Sequence, residues 1–183
     1  VRQKSRIAKA GAVEMAKVAI LVENYYEEME LWYPYYRLKE AGYSVELVGT
    51  EKGKEYKGKH GYPATSDKAS SQANAKDYDA IVIPGGYAPD WMRRCEATLQ
   101  LVKDMDKVKK PIAAICHAGW MLASCCNLEG KKVTSFSGIR DDLVHAGAKW
   151  SDAEVMVDGH LITSRKPADL PAFMKELLKL LKA

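Results

Sequence analysis

Apolar positions along the chain follow two alternating rhythms. Short, nearly continuous apolar runs alternate with longer stretches in which apolar residues recur every three or four positions. The first run, KVAILV at 17–22, is β-branched and predicts a buried strand. Residues 27–41 follow as an amphipathic helix, with Met29, Trp32, Tyr33, Tyr36 and Leu38 at helical spacing and Gly42 as its stop. Pro34 lies inside that pattern and is expected to kink it. Further strands are predicted at 45–49, 80–83 (AIVI), 111–115 (PIAAI) and 132–136. Helices are predicted at 97–108, directly after the run at 111–115 through Cys126, at 141–146 and at 168–181. Residues 50–63, rich in Lys and Gly, predict turns and a hairpin. Asp158-Gly159 predicts a second hairpin between strands at 155–157 and 161–164.

Strands that alternate with helices predict βαβ units and a mostly parallel sheet covered on both faces, an α/β fold. No repeat, low-complexity tract or linker interrupts the pattern, so residues 15–183 are expected to form one domain. In open sheets of this kind, sites form beyond the carboxyl ends of the strands. That rule singles out the segments after Val22, Ile83 and Ile115.

Composition narrows the function classes. The chain has 183 residues, 47% hydrophobic and 28% charged, which suits a globular protein that buries its own core. No apolar run approaches the roughly 18–20 residues that span a bilayer. The formal charge is +4, of which residues 1–14 hold +3, leaving the remainder near neutral. A nucleic-acid binder would carry its basic face on the folded domain itself, so neither nucleic acid nor membrane is expected as a partner. Residues 1–14 are expected to be a leader or extension without ordered structure, with Met15 as the natural start. The cysteines Cys95, Cys116, Cys125 and Cys126 form no C-x-x-C pair and no zinc spacing. Free thiols without a signal peptide point to the reducing cytoplasm, and no metal or cofactor is expected.

The segment 111–119, Pro-Ile-Ala-Ala-Ile-Cys-His-Ala-Gly, carries the clearest chemistry. A strand runs directly into a helix with Cys116 at the turn, and the small residues Ala114 and Ala118 lie two positions either side. That is the pattern of a nucleophile elbow, in which large flanking side chains would collide with the neighbouring strand and helix. The helix N-terminus offers free amides and partial positive charge, which favour a thiolate. A low thiol pKa is therefore expected at Cys116. His117 beside it is a candidate general base or acid. Pro84-Gly85-Gly86 ends a strand with residues that let the backbone approach a ligand. Gly85, Gly86 and Ala118 are assigned to oxyanion and substrate binding, with the His117 amide beside them. Glu27 and Glu30 share one face of the first helical turn near the end of the first strand, where the helix dipole alone could account for acidic residues. Asp90 could serve simply as an N-cap for a helix starting near Trp91.

These segments together resemble the ThiJ/PfpI superfamily, and the PfpI branch in particular. The resemblance rests on residues 24–42, PGGYAPD at 84–90, AICHAG at 114–119, GIRDD at 138–142, HAGAKW at 145–150, VDG at 157–159 and LITSR at 161–165. It implies a flavodoxin-like three-layer sandwich with a mostly parallel sheet and a nucleophile elbow like that of class I glutamine amidotransferases. It implies Cys116 as nucleophile, His117 as catalytic histidine, Glu30 as the carboxyl bonded to the thiol and Glu27 as a second acid in the pocket. It implies that Asp90 reaches the histidine of a neighbouring subunit, in a homo-oligomer such as a dimer or trimer of dimers. The implied activity is hydrolysis or lysis of small dicarbonyls or their adducts, as a deglycase or glyoxalase in stress protection. The implied substrates are small carbonyl compounds or glycated proteins and peptides. Intracellular peptidase is the alternative, and a redox sensor or chaperone that oxidises Cys116 is the alternative of another class. No histidine downstream is followed two residues later by Glu, as an amidotransferase would require. Phe136 stands where some PfpI-type members carry a tyrosine.

Overall fold

The computed structural model describes residues 16–182. The expectation for residues 1–14 lies outside the described residues. In chain order the strands and helices are β1 (Lys17–Leu21), α1 (Glu28–Glu40), β2 (Ser44–Gly49), β3 (Glu55–Lys57), β4 (Pro63–Thr65), β5 (Lys68–Ala69) and β6 (Ala80–Ile83). They continue through α2 (Ala88–Met92), α3 (Glu96–Lys107), β7 (Ile112–Ile115), α4 (Gly119–Cys125), β8 (Lys132–Val133) and α5 (Arg140–His145). The last are β9 (Lys149–Trp150), β10 (Val155–Asp158), β11 (Leu161–Ser164) and α6 (Leu170–Leu180).

The central sheet has seven strands in the order β10-β11-β7-β6-β1-β2-β5. All pairings are parallel except the β10–β11 hairpin. The interior strands carry apolar residues on both faces because helices cover both. Val18, Ile20, Ala80, Ile81, Ile112 and Ile115 are wholly buried. α1 and α6 pack on one side, while α3 and α4 pack on β7 on the other, giving three layers. From β1 the chain first moves outward to β2 and then crosses to β6 on the opposite side. β1 and β6 therefore bound the switch point of a flavodoxin-like sheet, where open α/β folds place their ligands.

Several local expectations change. The run at 132–136 is extended only over Lys132–Val133, and it pairs with β9 in a separate small sheet rather than joining the central one. The elbow helix begins later than expected, because Cys116–Ala118 form a tight 3₁₀ turn first. Asp90 is not an N-cap. α2 starts at Ala88 with Tyr87 in the capping position, so Asp90 lies inside the first turn. α1 runs on through Pro34 as one helix. Proline has no amide hydrogen, so the Glu30 carbonyl lacks its usual donor four residues on. The 50–63 region does form a hairpin, β3–β4, whose tip folds back over the N-terminus of α1.

Candidate active site

Three loops meet at the carboxyl edge of β1, β6 and β7. The loop after β1 turns through Tyr25, a non-glycine residue at φ 64°. Its carbonyl accepts from the Tyr87 amide at 2.9 Å, and the Glu27 amide donates to the Gly85 carbonyl at 3.3 Å. Gly86 sits in this seam at φ 71°, where a β-carbon would lie 2.3 Å from the Tyr25 carbonyl oxygen and 2.6 Å from the Glu27 nitrogen. Only glycine fits there.

Cys116 occupies the elbow at φ 62°. A left-handed backbone costs a non-glycine residue about 1–2 kcal/mol. The surroundings enforce it: Phe136 donates its amide to the Cys116 carbonyl at 3.3 Å, and Ala114 and Ala118 are buried against strand and helix. Ala118 acts in this packing and does not line the cavity above the thiol, contrary to its assignment to substrate binding.

That cavity holds about 340 Å³. Glu27 and Glu30 enter it from the start of α1, and Lys59 from the hairpin tip. Gly86 and Tyr87 line it from the β6 loop, and Cys116 and His117 from the elbow. Phe136, Lys166 and Pro167 close the far side. Asp90 is exposed and does not line it. It faces a neighbouring depression with Tyr25, Trp91 and Trp120, and that depression shares Tyr87 with the cavity.

Glu30 is fully buried. One carboxyl oxygen, Oε2, accepts from the Gly85 amide at 2.8 Å, while Oε1 has no hydrogen-bond partner. A β-carbon at Gly85 would lie 2.6 Å from the Cys116 β-carbon and 2.7 Å from Glu30 Oε2, so glycine lets carboxyl and thiol come together. The Gly85 amide is thereby committed to Glu30 and is not free to bind an oxyanion. The amides of Gly86 and His117 instead point at the thiol and favour its anion.

Burial pushes the Glu30 carboxyl up to about 8. Burial, and next the Glu30 carboxylate, push the Cys116 thiol up to about 12, against the opposing pull of the Gly86 and His117 amides and Lys59. This corrects the expectation of a thiol simply lowered by its elbow. The amides act in the expected direction, but burial and the neighbouring acid outweigh them. Two such groups release their protons as a pair. A proton on Glu30 Oε1 would supply that atom's missing hydrogen bond and remove the charge that opposes a thiolate.

His117 Nδ1 lies 3.3 Å from Cys116 Sγ. Its ring stacks on Phe136 at a centroid distance of 4.7 Å, with Trp120 at 5.0 Å and Tyr87 at 6.0 Å. Burial, and then Lys59, lower its pKa, which favours the neutral imidazole. Lys59 Nζ meets Glu27 Oε2 at 2.5 Å, and that bond raises the lysine against the pull of burial.

Sequence reasoning missed Lys59, Tyr87, Lys166 and Pro167 as cavity residues. Lys166 and Pro167 follow β11, whose carboxyl end opens onto the same edge, so the rule that located the other loops reaches them too. Lys59 arrives by the fold of the hairpin, for which no local signal exists. Among the described residues, Glu27, Glu28 and His60 are the group whose ligand atoms lie within 4.8 Å of one another, as a metal would need. Glu27 is engaged by Lys59 and Glu28 by the ring and amide of His60, so these acids fasten the hairpin tip to α1.

Residues 16–180 match the DJ-1/PfpI family as a whole. Deglycase PH1704 of Pyrococcus horikoshii is 46% identical over 166 residues, covering 91% of this chain and 99% of that protein. The putative cysteine protease YraA of Bacillus subtilis is 45% identical over 166 residues, covering 91% and 98%. The solved structure of Drosophila melanogaster DJ-1beta matches with a TM-score of 0.85 at 28% identity, covering 91% of this chain and 90% of that one. In sequence and in fold, then, this chain belongs to the DJ-1/PfpI family.

Proposed function

We propose that this protein is a cysteine-dependent enzyme acting on small dicarbonyls or their adducts, with residues 15–183 as its single domain and the cytoplasm as its compartment. The observation that carries this reading is the carboxyl of Glu30. It is fully buried beside the Cys116 thiol, held on one oxygen and unpartnered on the other. A group in that state is suited to keep its proton and donate a hydrogen bond to the sulfur. Cys116, on its strained elbow, attacks a carbonyl carbon. His117 takes up the thiol proton through Nδ1 and later returns a proton to the departing group. The Gly86 and His117 amides receive the developing oxyanion. Glu27, fixed by Lys59, completes the polar wall.

Asp90 has a role only if a second copy brings it to the ring of His117, and no bond to Nε2 is made among the described residues. The exposed Tyr25, Tyr87 and Trp91 around Asp90 offer the apolar surface that such a contact needs. We therefore assign the complete site to a homo-oligomer.

The name deglycase, carried by the Pyrococcus relative, supports adduct chemistry, and a cavity of about 340 Å³ suits a small carbonyl compound. The protease name of YraA supports the alternative of peptide hydrolysis. The test is turnover of methylglyoxal, a methylglyoxal-modified amino acid and a casein peptide by wild type and Cys116→Ser. Loss of dicarbonyl or adduct consumption in the variant supports the reading. Cleavage of the peptide alone favours peptidase. Oxidation of Cys116 without turnover of any substrate favours redox sensing.

A further inference from the structure

The cavity above Cys116 carries two lysines in different states. Lys59 is neutralised by its contact with Glu27. Lys166 is exposed at the rim and has no carboxylate within ion-pair distance among the described residues. We infer that Lys166 is a specificity-determining cation that selects carbonyl adducts bearing a carboxylate, such as those formed on free amino acids and small thiol acids. This rests on the enzymatic reading above and names its substrate class.

The backbone beneath Lys166 is fixed on both sides. Arg165 grips Asp169 through two bonds, Nε to Oδ2 at 2.8 Å and Nη2 to Oδ1 at 3.0 Å. Its Nη1 reaches Asp152 at 2.7 Å. Asp169 is itself buried and returns its amide to the Lys166 carbonyl at 2.9 Å. Lys166 is extended, at φ −163° and ψ 166°, as a residue before proline prefers. The main chain therefore presents a fixed root at the cavity rim, and only the four-carbon stem is free to move. A compact ammonium on a flexible stem suits a carboxylate whose distance from the reacting carbon varies.

Among the charged residues that line the cavity, Lys59 is paired with Glu27 and Glu30 is held by the Gly85 amide, which leaves Lys166 as the lining cation without a carboxylate partner among the described residues. Arg165, next to it in sequence, is engaged by Asp152 and Asp169 and does not line the cavity. An adduct on a lysine or arginine side chain within a protein carries no carboxylate of its own beside the modified group. An adduct on a free amino acid or thiol acid does.

The experiment uses the full chain and methylglyoxal combined with either N-acetylcysteine or N-acetylcysteine amide, which differ by one carboxylate. Wild type should prefer the acid in kcat/KM by about two- to fivefold at low salt, the size of one exposed ion pair, and lose that preference at high salt. Lys166→Met should bring the ratio to near one, Lys166→Glu should invert it, and Lys166→Arg should keep it. Turnover of both adducts at a ratio that Lys166→Glu leaves untouched overturns this inference alone. A wild-type chain that turns over neither adduct overturns the enzymatic reading, and this inference falls with it.

Discussion

The amide of Gly85, packed between Glu30 and Cys116, holds one oxygen of the Glu30 carboxyl at 2.8 Å and leaves the other without a partner. A buried acid in that position resists ionisation, and its pKa of about 8 lies well above the ordinary value of 4.5. The folded protein therefore binds a proton here that the unfolded chain has already released. Stability contributed by this proton is complete below about pH 4.5 and is lost as pH rises through about 8. The slope is at most about 1.4 kcal/mol per pH unit. Urea unfolding at several pH values between these limits should show wild type losing stability as pH rises and Glu30→Gln losing less. Parallel curves would place the proton elsewhere.

The same carboxyl governs the thiol. Above pH 8, wild type carries a charge beside Cys116 that Glu30→Gln lacks, while the amide side chain keeps a donor. Iodoacetamide should therefore modify Cys116 faster in Glu30→Gln than in wild type at pH 9, and Glu30→Leu should gain less because it loses the donor. Peptide mass mapping reads the modified site. Cys95 is the internal reference. Burial pushes its thiol up, but bonds from Thr98, Ser70 and Ala97 outweigh that and lower it.

Asp90 is exposed and away from the Cys116 cavity in its own chain. If it serves a neighbour's His117, Asp90→Ala and Cys116→Ser are each inactive alone. Dissociated and reassembled together, they recover activity at interfaces that pair an intact Cys116 and His117 with an intact Asp90. The shared-site assignment is lost if Asp90→Ala is fully active by itself.

Gly86 and Gly42 separate backbone strain from collision. Both have positive φ, 71° and 89°, but a β-carbon at Gly42 meets nothing within 4 Å. Gly42→Ala should cost about 1–2 kcal/mol, the strain alone. Gly86→Ala adds contact with the main chain at Tyr25 and Glu27, so its thermal midpoint should fall further and its turnover with it.

Much of this arrangement was legible before the fold was known, because its signals are local. AIVI and IAAI are apolar runs of strand length bounded by turn signals, as a strand buried on both faces requires, and the spacing Ala114, Cys116, Ala118 states the steric demand of the elbow. What was hidden depends on distant chain. β5 is Lys68–Ala69, two residues long and without a pattern. α2 spans five residues that include Pro89, too short and too irregular to show helical periodicity. Lys59 reaches the cavity because Glu27 and Glu28 hold the hairpin tip in place, a fact about charges far apart in sequence. The pKa of Cys116 departs from what its elbow alone implies for the same reason. The elbow amides are adjacent in sequence, whereas burial and the Glu30 carboxyl belong to the assembled site.

Pro34 gives the Glu30 position a second distinction. The helical ladder of α1 is one rung short at the residue whose carboxyl faces the thiol. Glu30 is thus tied less firmly along its own helix and more firmly sideways, to Gly85 across the switch point of the sheet. The opening turn of α1 is mechanically coupled to the β6 loop and partly uncoupled from the rest of the helix. Between the outer half of α1, where Tyr36 stands exposed, and the carboxyl that faces the sulfur, the helix thus transmits displacement through one backbone hydrogen bond fewer.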